Sequence, residues 1–530
     1  MSKKIINRGR CGSCTWQIDT SMTLTISPVE GTDGILGMPE DGKWPWTDTA
    51  KDIKKISIEE GVKAGASCRR MFAGMSSCKI FDISKLDMTY ARSMSEMFLG
   101  CSRLEALSFA EGWNTSNVTR MDGTFDGCIS AKDFSALAGL NVSKVESMSE
   151  MLKGCKSVES IGFMSGWNTA NLEDMSGMLE GCVKLKDISA FRNINVENVK
   201  DMSMLLSGCK SVPDISAMEG WDTGSLQKAD YMIEGCESIT HVSAFAKWNT
   251  INLTSMQGMV KDCHSLHDIT GLRNLDTSYV TDMSELFCGC HSLQDLSPVA
   301  GLDTGSVVNM NGICERCYSL QDISPVTNWD TRSVKYMSYA FRYDTSLSDI
   351  SALANLDMRN VVNVNFMMQG CSSIKDISST ADWNIDWMNA LIPTGIFAGC
   401  PDIPEITLVY NKKEGSVTLV SPKMENNRYI ATDIMGDVFG IVKTGSFAAK
   451  SPSKNCRLTE SEAKEFLKYV KTDLAERAMT KDDKIVNAGK AKQLSARKRE
   501  SLAKLRENPY FAKDLQNERP APAADVFVSR

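Results

Sequence analysis

The chain has 530 residues, a formal net charge of -7, 18 cysteines and four histidines. That cysteine content is too sparse for a disulfide-stapled small domain, and no stretch approaches the ~20 apolar residues that span a bilayer. Charge is uneven: residues 457–530 hold 17 Lys and Arg against 12 Asp and Glu, which puts this tail at +5 and everything before it at -12. Such a split points to a basic segment with an acidic partner.

The first residues, MSKKIINRGRCGSC, carry positive charge without an apolar h-region or a cleavage site. The expectation is synthesis in the cytoplasm with reduced thiols. Cys11 and Cys14 bracket two residues, a spacing that opens a hairpin and would also suit a zinc or redox pair. Further on, Cys101, Cys128, Cys155, Cys182, Cys209, Cys236, Cys263, Cys290 and Cys317 recur at a constant step of 27. Asp344 fills the next position and Cys371 resumes the register. A fixed period of about 20 to 50 residues is the signature of a solenoid, in which each repeat touches only its neighbours.

The columns can be counted from each ladder cysteine. Three residues on stand aliphatic residues such as Leu104, Val158 and Leu320; six on stand Leu107, Ile161, Ile188, Ile269 and Ile350, usually followed by Ser. This apolar segment predicts one brief strand per coil, stacked in parallel. Twelve on comes Trp or an aliphatic residue, as in Trp113, Trp167 and Trp221, and thirteen on comes Asn or Asp, which predicts a corner. Apolar residues three apart follow, as in Val145, Met148 and Met151, and predict a 3₁₀-like inward turn. The ladder cysteine itself is expected to be a small buried hydrophobe at a tight corner, with Met filling the gaps around it.

From Glu405 the repeat is gone. EITLVYNKKEGSVTLVSP predicts a β-hairpin, and RYIATDIMGDVFGIVKTG adds strands. Thr459 with Glu462 forms a capping box before Phe466, Leu467, Val470 and Leu474 on one helical face. A second helical stretch, about 483–507, is strongly basic, and ERPAPAADVFVSR reads as a flexible tail. The expected organisation is a β-rich segment at 1–73, a solenoid of about 12 coils at 74–404, a small β module or C-terminal cap at 405–456 and a basic helical tail at 457–530.

The string W-[ND]-T-x-x-V-x-x-M-x-x-M-F-x-G-C resembles the leucine-rich repeat of the BspA-like bacterial surface proteins. It stands here as WNTSNVTRMDGTFDGC, Trp113–Cys128, and LDTSYVTDMSELFCGC, Leu275–Cys290. CGSCTWQIDTSMTLTISP with KWPWTDTAKDIKKISIEEGV is similar to the β-rich cap before the first coil in that family. The resemblance covers about Cys11 to Cys400. It implies a right-handed leucine-rich-repeat solenoid, β-rich with short helical turns (α+β), behind an N-terminal β cap. It also implies adhesion or protein recognition without catalysis. The family's secretion signal and wall anchor are not seen here.

Three groups carry candidate chemistry. Cys263, His264, His267, Cys290 and His291 fall on neighbouring coils and could converge on a metal ion, although the cysteines are ladder members expected to turn inward. Five residues after the ladder position stand Asp133, Asp187, Asp214, Asp268, Asp295, Asp322, Asp349 and Asp376, mostly in D-[IL]-S. Such a line of carboxylates hydrogen-bonds to neighbouring Ser and N–H groups, meets a cationic protein ligand, or holds calcium. Asp187 through Asp376 are therefore the candidate ligand-binding stripe, and Lys490–Arg506 is a candidate partner for it, from this chain or a neighbour. No Ser/His/Asp grouping, phosphate loop or HExxH string occurs, so neither an enzyme nor a cofactor is expected. The expected function is protein recognition or adhesion, displayed on a phage particle or another assembled surface. The alternative is a cytosolic scaffold whose basic C-terminal helices bind an acidic protein or, less favoured, nucleic acid.

Neighbour-only contacts make stability additive over coils. Deleting one full period, Gly181 to Ser207, keeps every column aligned and should leave a folded chain by circular dichroism and limited proteolysis. Deleting the shorter stretch Gly181 to Lys200, which breaks the register, should not.

Overall fold

The structure is a computed structural model. It describes residues 4–38 and 41–376, then 378–380, 383, 396–397, 400, 407–411 and 416–420. The expected basic tail, and the strands expected in 428–445, lie outside the described residues. The chain divides into two compact units, Met1–Ser306 and Val307–Arg530.

In the first unit, β1 (Ile5–Cys11), β2 (Cys14–Asp19) and β3 (Thr23–Pro28) form an antiparallel meander. The turn between β1 and β2 is Gly12-Ser13, with Gly12 at φ 60, the hairpin expected of this spacing. Alternation places Trp16, Ile18, Leu24 and Ile26 inside. The indoles of Trp44 and Trp46 stack at 5.5 Å and donate to the carbonyls of Arg69 and Met71. A short pair, β4 (Ile35–Leu36) with β6 (Lys63–Ala64), is parallel. Parallel pairing on the main sheet runs from β3 to β5 (Lys55–Ile58) to β7 (Ile80–Asp82). Coil-like stacking thus begins before residue 74.

Beyond β7 the coils contain no extended strands among the described residues. They are joined by single-residue parallel bridges, Ser93 to Arg120, Ser147, Asp174, Asp201, Lys228, Ser255 and Asp282 in turn. In the second unit Asn309, Tyr336 and Asn363 continue this pattern. This column lies just before the Met-rich segment, where a 3₁₀-like turn was expected. The D-I-S segment, expected to be the strand, instead leads into a 3₁₀ turn. Ile188, at φ -111 and ψ 19, precedes Ser189–Asn193, and only a bridge from Ser160 to Asp187 marks extended pairing there. The Met-rich segment makes the expected turn: the Met151 N–H bonds the Met148 carbonyl at 3.2 Å, and the Met148 N–H bonds the Asp174 carbonyl of the next coil at 2.9 Å. The D-I-S segment thus turns where a strand was expected. The cause is local: Asp187 Oδ1 accepts the N–H of Ser189 at 2.9 Å, and that bond bends the chain where a strand would pleat.

The repeat motif resolves into hydrogen bonds between coils. Trp167, Trp221 and Trp248 donate their indole N–H to the carbonyls of Leu137, Phe191 and Met218 in the preceding coil, at 2.7–3.2 Å. The Asn or Asp after them turns the corner, as Asn195 Oδ1 does by accepting the N–H of Glu197. The Thr that follows is buried and donates forward: Thr169, Thr223, Thr250 and Thr277 reach the carbonyls of Asn195, Asn249, Asp276 and Asp303 at 2.8–3.0 Å. The ladder thiols donate backward, from Cys155 to Phe125 O at 3.2 Å through Cys290 to Val260 O at 3.2 Å. The described cysteines are free and buried, and burial pushes the Cys182 thiol up to about 12. The cysteine is thus a donor as well as a small hydrophobe.

The second unit repeats these bonds, with Thr331 on Asp357 O, Cys371 on Phe341 O and Cys400 on Met368 O. The expected hairpin is present as β8 (Thr407–Asn411) paired antiparallel with β9 (Ser416–Val420).

Thr250→Val keeps volume but leaves the Asp276 carbonyl without its donor. It should cost about 1–3 kcal/mol, read as a lower urea midpoint at unchanged slope. Thr281→Val, at an exposed position, should stay within about 0.5 kcal/mol.

Candidate functional site

Each aspartate of the expected stripe whose bond is resolved caps a 3₁₀ turn. Asp187, Asp214, Asp268 and Asp295 in the first unit accept the N–H two residues on at 2.8–2.9 Å. Asp322 and Asp349 do the same in the second unit at 2.7 and 2.8 Å. Asp376 is exposed near the end of the described coils. Hydrogen bonds from Ser189 and Ser160 hold the Asp187 carboxyl below its ordinary value, and the Ser216 hydroxyl and N–H do so for Asp214. The stripe is exposed or half-exposed, but its carboxylates are committed to building the coil.

The cysteine–histidine group does not converge. Cys263 and Cys290 turn inward, their thiols on the carbonyls of Ile233 and Val260. His264 and His291 stack outside with ring centroids 4.2 Å apart, and His267 Nδ1 lies 3.2 Å from the Ser265 carbonyl. Among the described residues no cluster of His, Cys, Asp or Glu has the arrangement of a metal site. At the N-terminal pair, Cys11 and Cys14 donate to the carbonyls of Gly37 and Gly34, both at 3.1 Å, and burial pushes both thiols up to about 11.

A second set of side chains stands at the turn that follows the column of parallel bridges. The position five before the ladder cysteine has a left-handed backbone in every coil from Glu96 to Glu285, with φ between 53 and 59. Glycine suits it and stands at Gly123, Gly177 and Gly258, yet Glu96, Glu150, Met204, Tyr231 and Glu285 take the same conformation. A non-glycine residue there costs about 1–2 kcal/mol. Neighbouring coils make room: a Cβ on Gly258 would come within 2.5 Å of the Tyr231 ring, and one on Gly177 within 3.2 Å of Glu150 Cγ. These side chains lean across the following coil.

The results are composite clusters. Tyr231 reaches over Gly258 to place its hydroxyl 3.5 Å from Glu285, while Lys261 sits 5.5 Å from the Tyr231 ring centroid and 2.7 Å from Glu285. Asp126 lies among Glu96, Glu150 and Glu180, with Lys153 bridging Glu150 at 2.7 Å and Glu180 at 2.9 Å. Burial, and next the Glu150 charge, push the Asp126 carboxyl up to about 6. In the second unit the same columns are aromatic. Arg342 lies 5.1 Å from the Tyr339 ring and 4.6 Å from Tyr343, and Tyr339 stacks on Phe366 at 5.7 Å. Arg342 also donates to Gln369 at 2.7 Å and pairs with Glu315 at 3.3 Å, while Tyr336 is 39% exposed.

Sequence reasoning missed these columns. Their signal was present as variation inside a regular repeat: Glu150, Gly177, Met204, Tyr231, Gly258 and Glu285 follow one another at one coil position.

The family model described as "Mycoplasma protein of unknown function, DUF285" matches residues 66–191, 181–271 and 266–383, together more than half of the chain. No curated protein matches. Among solved structures, a chain of the Drosophila Toll–Spatzle complex aligns at 10% identity over 76% of this chain, with a TM-score of 0.14. This chain spans 59% of that one, and a likeness at that score carries no argument.

A carboxyl raised in the folded state contributes stability that is complete below its unfolded value and lost as pH rises through the folded value. For Asp126 that window runs from about 4 to about 6. Asp126→Asn should therefore raise the thermal midpoint above about pH 6 and change it little below about pH 4. Equal shifts at both would contradict the crowding by Glu150 and Glu180.

Proposed function

This chain belongs to the DUF285 family, and on that premise we propose that it is a non-enzymatic protein-recognition repeat, binding its partner through the face built around the parallel-bridge column. The observation that carries this reading is the left-handed column. Met204 is 39% exposed at φ 56, and Tyr231 stands at φ 55, where the coil itself would be better served by glycine. Strain retained at exposed, variable positions on a rigid frame supports a role outside folding. Tyr and Met are also side chains that anchor protein interfaces, and Tyr231 and Met204 supply them in the first unit. We read the coils as leucine-rich repeats of the BspA-like type and right-handed, because W-N-T and its Met and Gly-Cys spacing support that kinship. An adhesive role on an assembled surface is the corresponding biological reading. The capping duty of Asp187, Asp214, Asp268 and Asp295 makes them supporting residues in this proposal.

The test places a photocrosslinking amino acid at position 204 or 231 in the full chain, with position 187 as the control. A protein adduct specific to 204 and 231 is expected. Tyr231→Gly, which suits the backbone, and Glu150→Lys with Glu180→Lys should each weaken binding of the purified adduct protein at least about tenfold. Binding unchanged in both variants would overturn this face as the recognition surface.

A further inference from the structure

One residue of the cysteine column is an acid. Asp344, in the second unit, is wholly buried at 0% exposure. Its Oδ1 accepts the backbone N–H of Cys317, one coil back, at 2.8 Å. Its Oδ2 is buried without a hydrogen-bond partner. At the next ladder position the thiol of Cys371 donates to the Phe341 carbonyl of the preceding coil at 2.9 Å. The carbonyl at the same offset from Asp344 belongs to Cys314.

An ionised carboxylate has no proton to offer a carbonyl, whereas a carboxylic acid donates one and still accepts. A buried, unpaired carboxylate is also costly, and such groups neutralise instead. The charged and titratable groups that bear on Asp344 among the described residues are Glu315, of like sign, and the buried thiol of Cys371; from the coil below, Cys317 contributes its N–H. The nearby cation Arg342 is engaged with Glu315 and Gln369. Burial and, to a smaller degree, Glu315 hold the carboxyl well above its usual range, and the Cys317 N–H opposes them.

We propose that Asp344 is kept as a neutral carboxylic acid that takes the thiol's place as ladder donor, so that its coil is a pH-sensitive joint in the second unit. The joint is closed while the acid keeps its proton and loosens when it ionises. An aspartate raised in the folded state adds stability that is complete below its unfolded value, about 3.9, and is lost as pH rises through its folded value. Over that interval opening releases one proton, so the opening equilibrium should grow about tenfold per pH unit.

Asp344→Asn is the informative variant. Its amide keeps an acceptor for the Cys317 N–H, offers an N–H in place of the acid O–H, and cannot ionise. Asp344→Cys restores the ladder residue. Hydrogen exchange of the full-length chain, read on peptides spanning 314–371 and taken as the ratio of wild type to variant at each pH, removes the intrinsic pH dependence of exchange. The ratio should rise about tenfold per pH unit against either variant. Infrared difference spectra at neutral pH should show a carboxylic-acid C=O absorption in wild type that Asp344→Asn lacks. A ratio independent of pH, or no such absorption, would overturn the proposal. So would exchange that is faster than wild type in both variants at every pH. If Asp344→Asn fails to fold, the Asp344→Cys comparison carries the same exchange test.

Discussion

A backbone carbonyl left inside a stacked coil without a donor costs about 1–3 kcal/mol, and the coils of this protein raise that problem at every corner. A regular sheet would satisfy its own ladder along the whole coil, but here backbone bonds between coils are concentrated in the Met-rich segment, as from the N–H groups of Met148, Glu150, Leu152 and Gly154 to the carbonyls of Asp174, Ser176, Met178 and Glu180. The remaining carbonyls are met by side chains from the adjacent coil: Thr reaching forward, Cys and Trp reaching back. This explains why the repeat motif mixes Trp, Thr and Cys into an otherwise aliphatic pattern, and why the period is held constant. A residue inserted in one coil would move each donor off its carbonyl.

The same constraint separates structural positions from free ones. Asp187 and its equivalents look like a binding stripe in sequence, but their carboxylates hold the start of the 3₁₀ turns. At the left-handed position it is the backbone that bonds the next coil, as the N–H groups of Glu150 and Tyr231 do to the carbonyls of Ser176 and Gln257, so the side chain there can vary. Tyr231 leaning over Gly258 shows how variation at one coil is matched by glycine in the next. Asp344 shows the constraint at its limit. A buried donor position can accept a titratable residue when that residue carries its own proton, and the fold then acquires a dependence on pH that thiols pushed up by burial, such as Cys182, do not bring.

Much of the fold was legible because it rests on periodicity. The constant step from coil to coil, the inward columns of Leu107, Ile161 and Ile188, the free buried cysteines and the Asn or Asp corners are all properties of spacing, and the structure has each of them. The turn in the Met-rich segment was legible too, but the 3₁₀ turn at the D-I-S segment was not. Apolar residues at Ile188 and at Met148 are buried alike, so burial pattern could not say whether the segment at Ile188 is extended or turned. The choice falls to the hydrogen bond from the Ser189 N–H to Asp187, a geometric fact that composition leaves open.

By itself, the sequence determined that this is a chain of repeated coils whose ladder cysteines are buried, because that follows from period and burial preference. Only the tertiary structure decided which side chains are available for recognition. Glu150 and Glu180 stand on successive coils, and Tyr231 and Glu285 stand two coils apart, yet each pair shares one cluster. Stacking brings coil n beside coil n+1 with their bridge columns aligned, and the left-handed backbone at one position aims a side chain along the stack. Neither the alignment nor the aim exists in the linear order of residues, so the surface on which they converge could not be read before the coils were stacked.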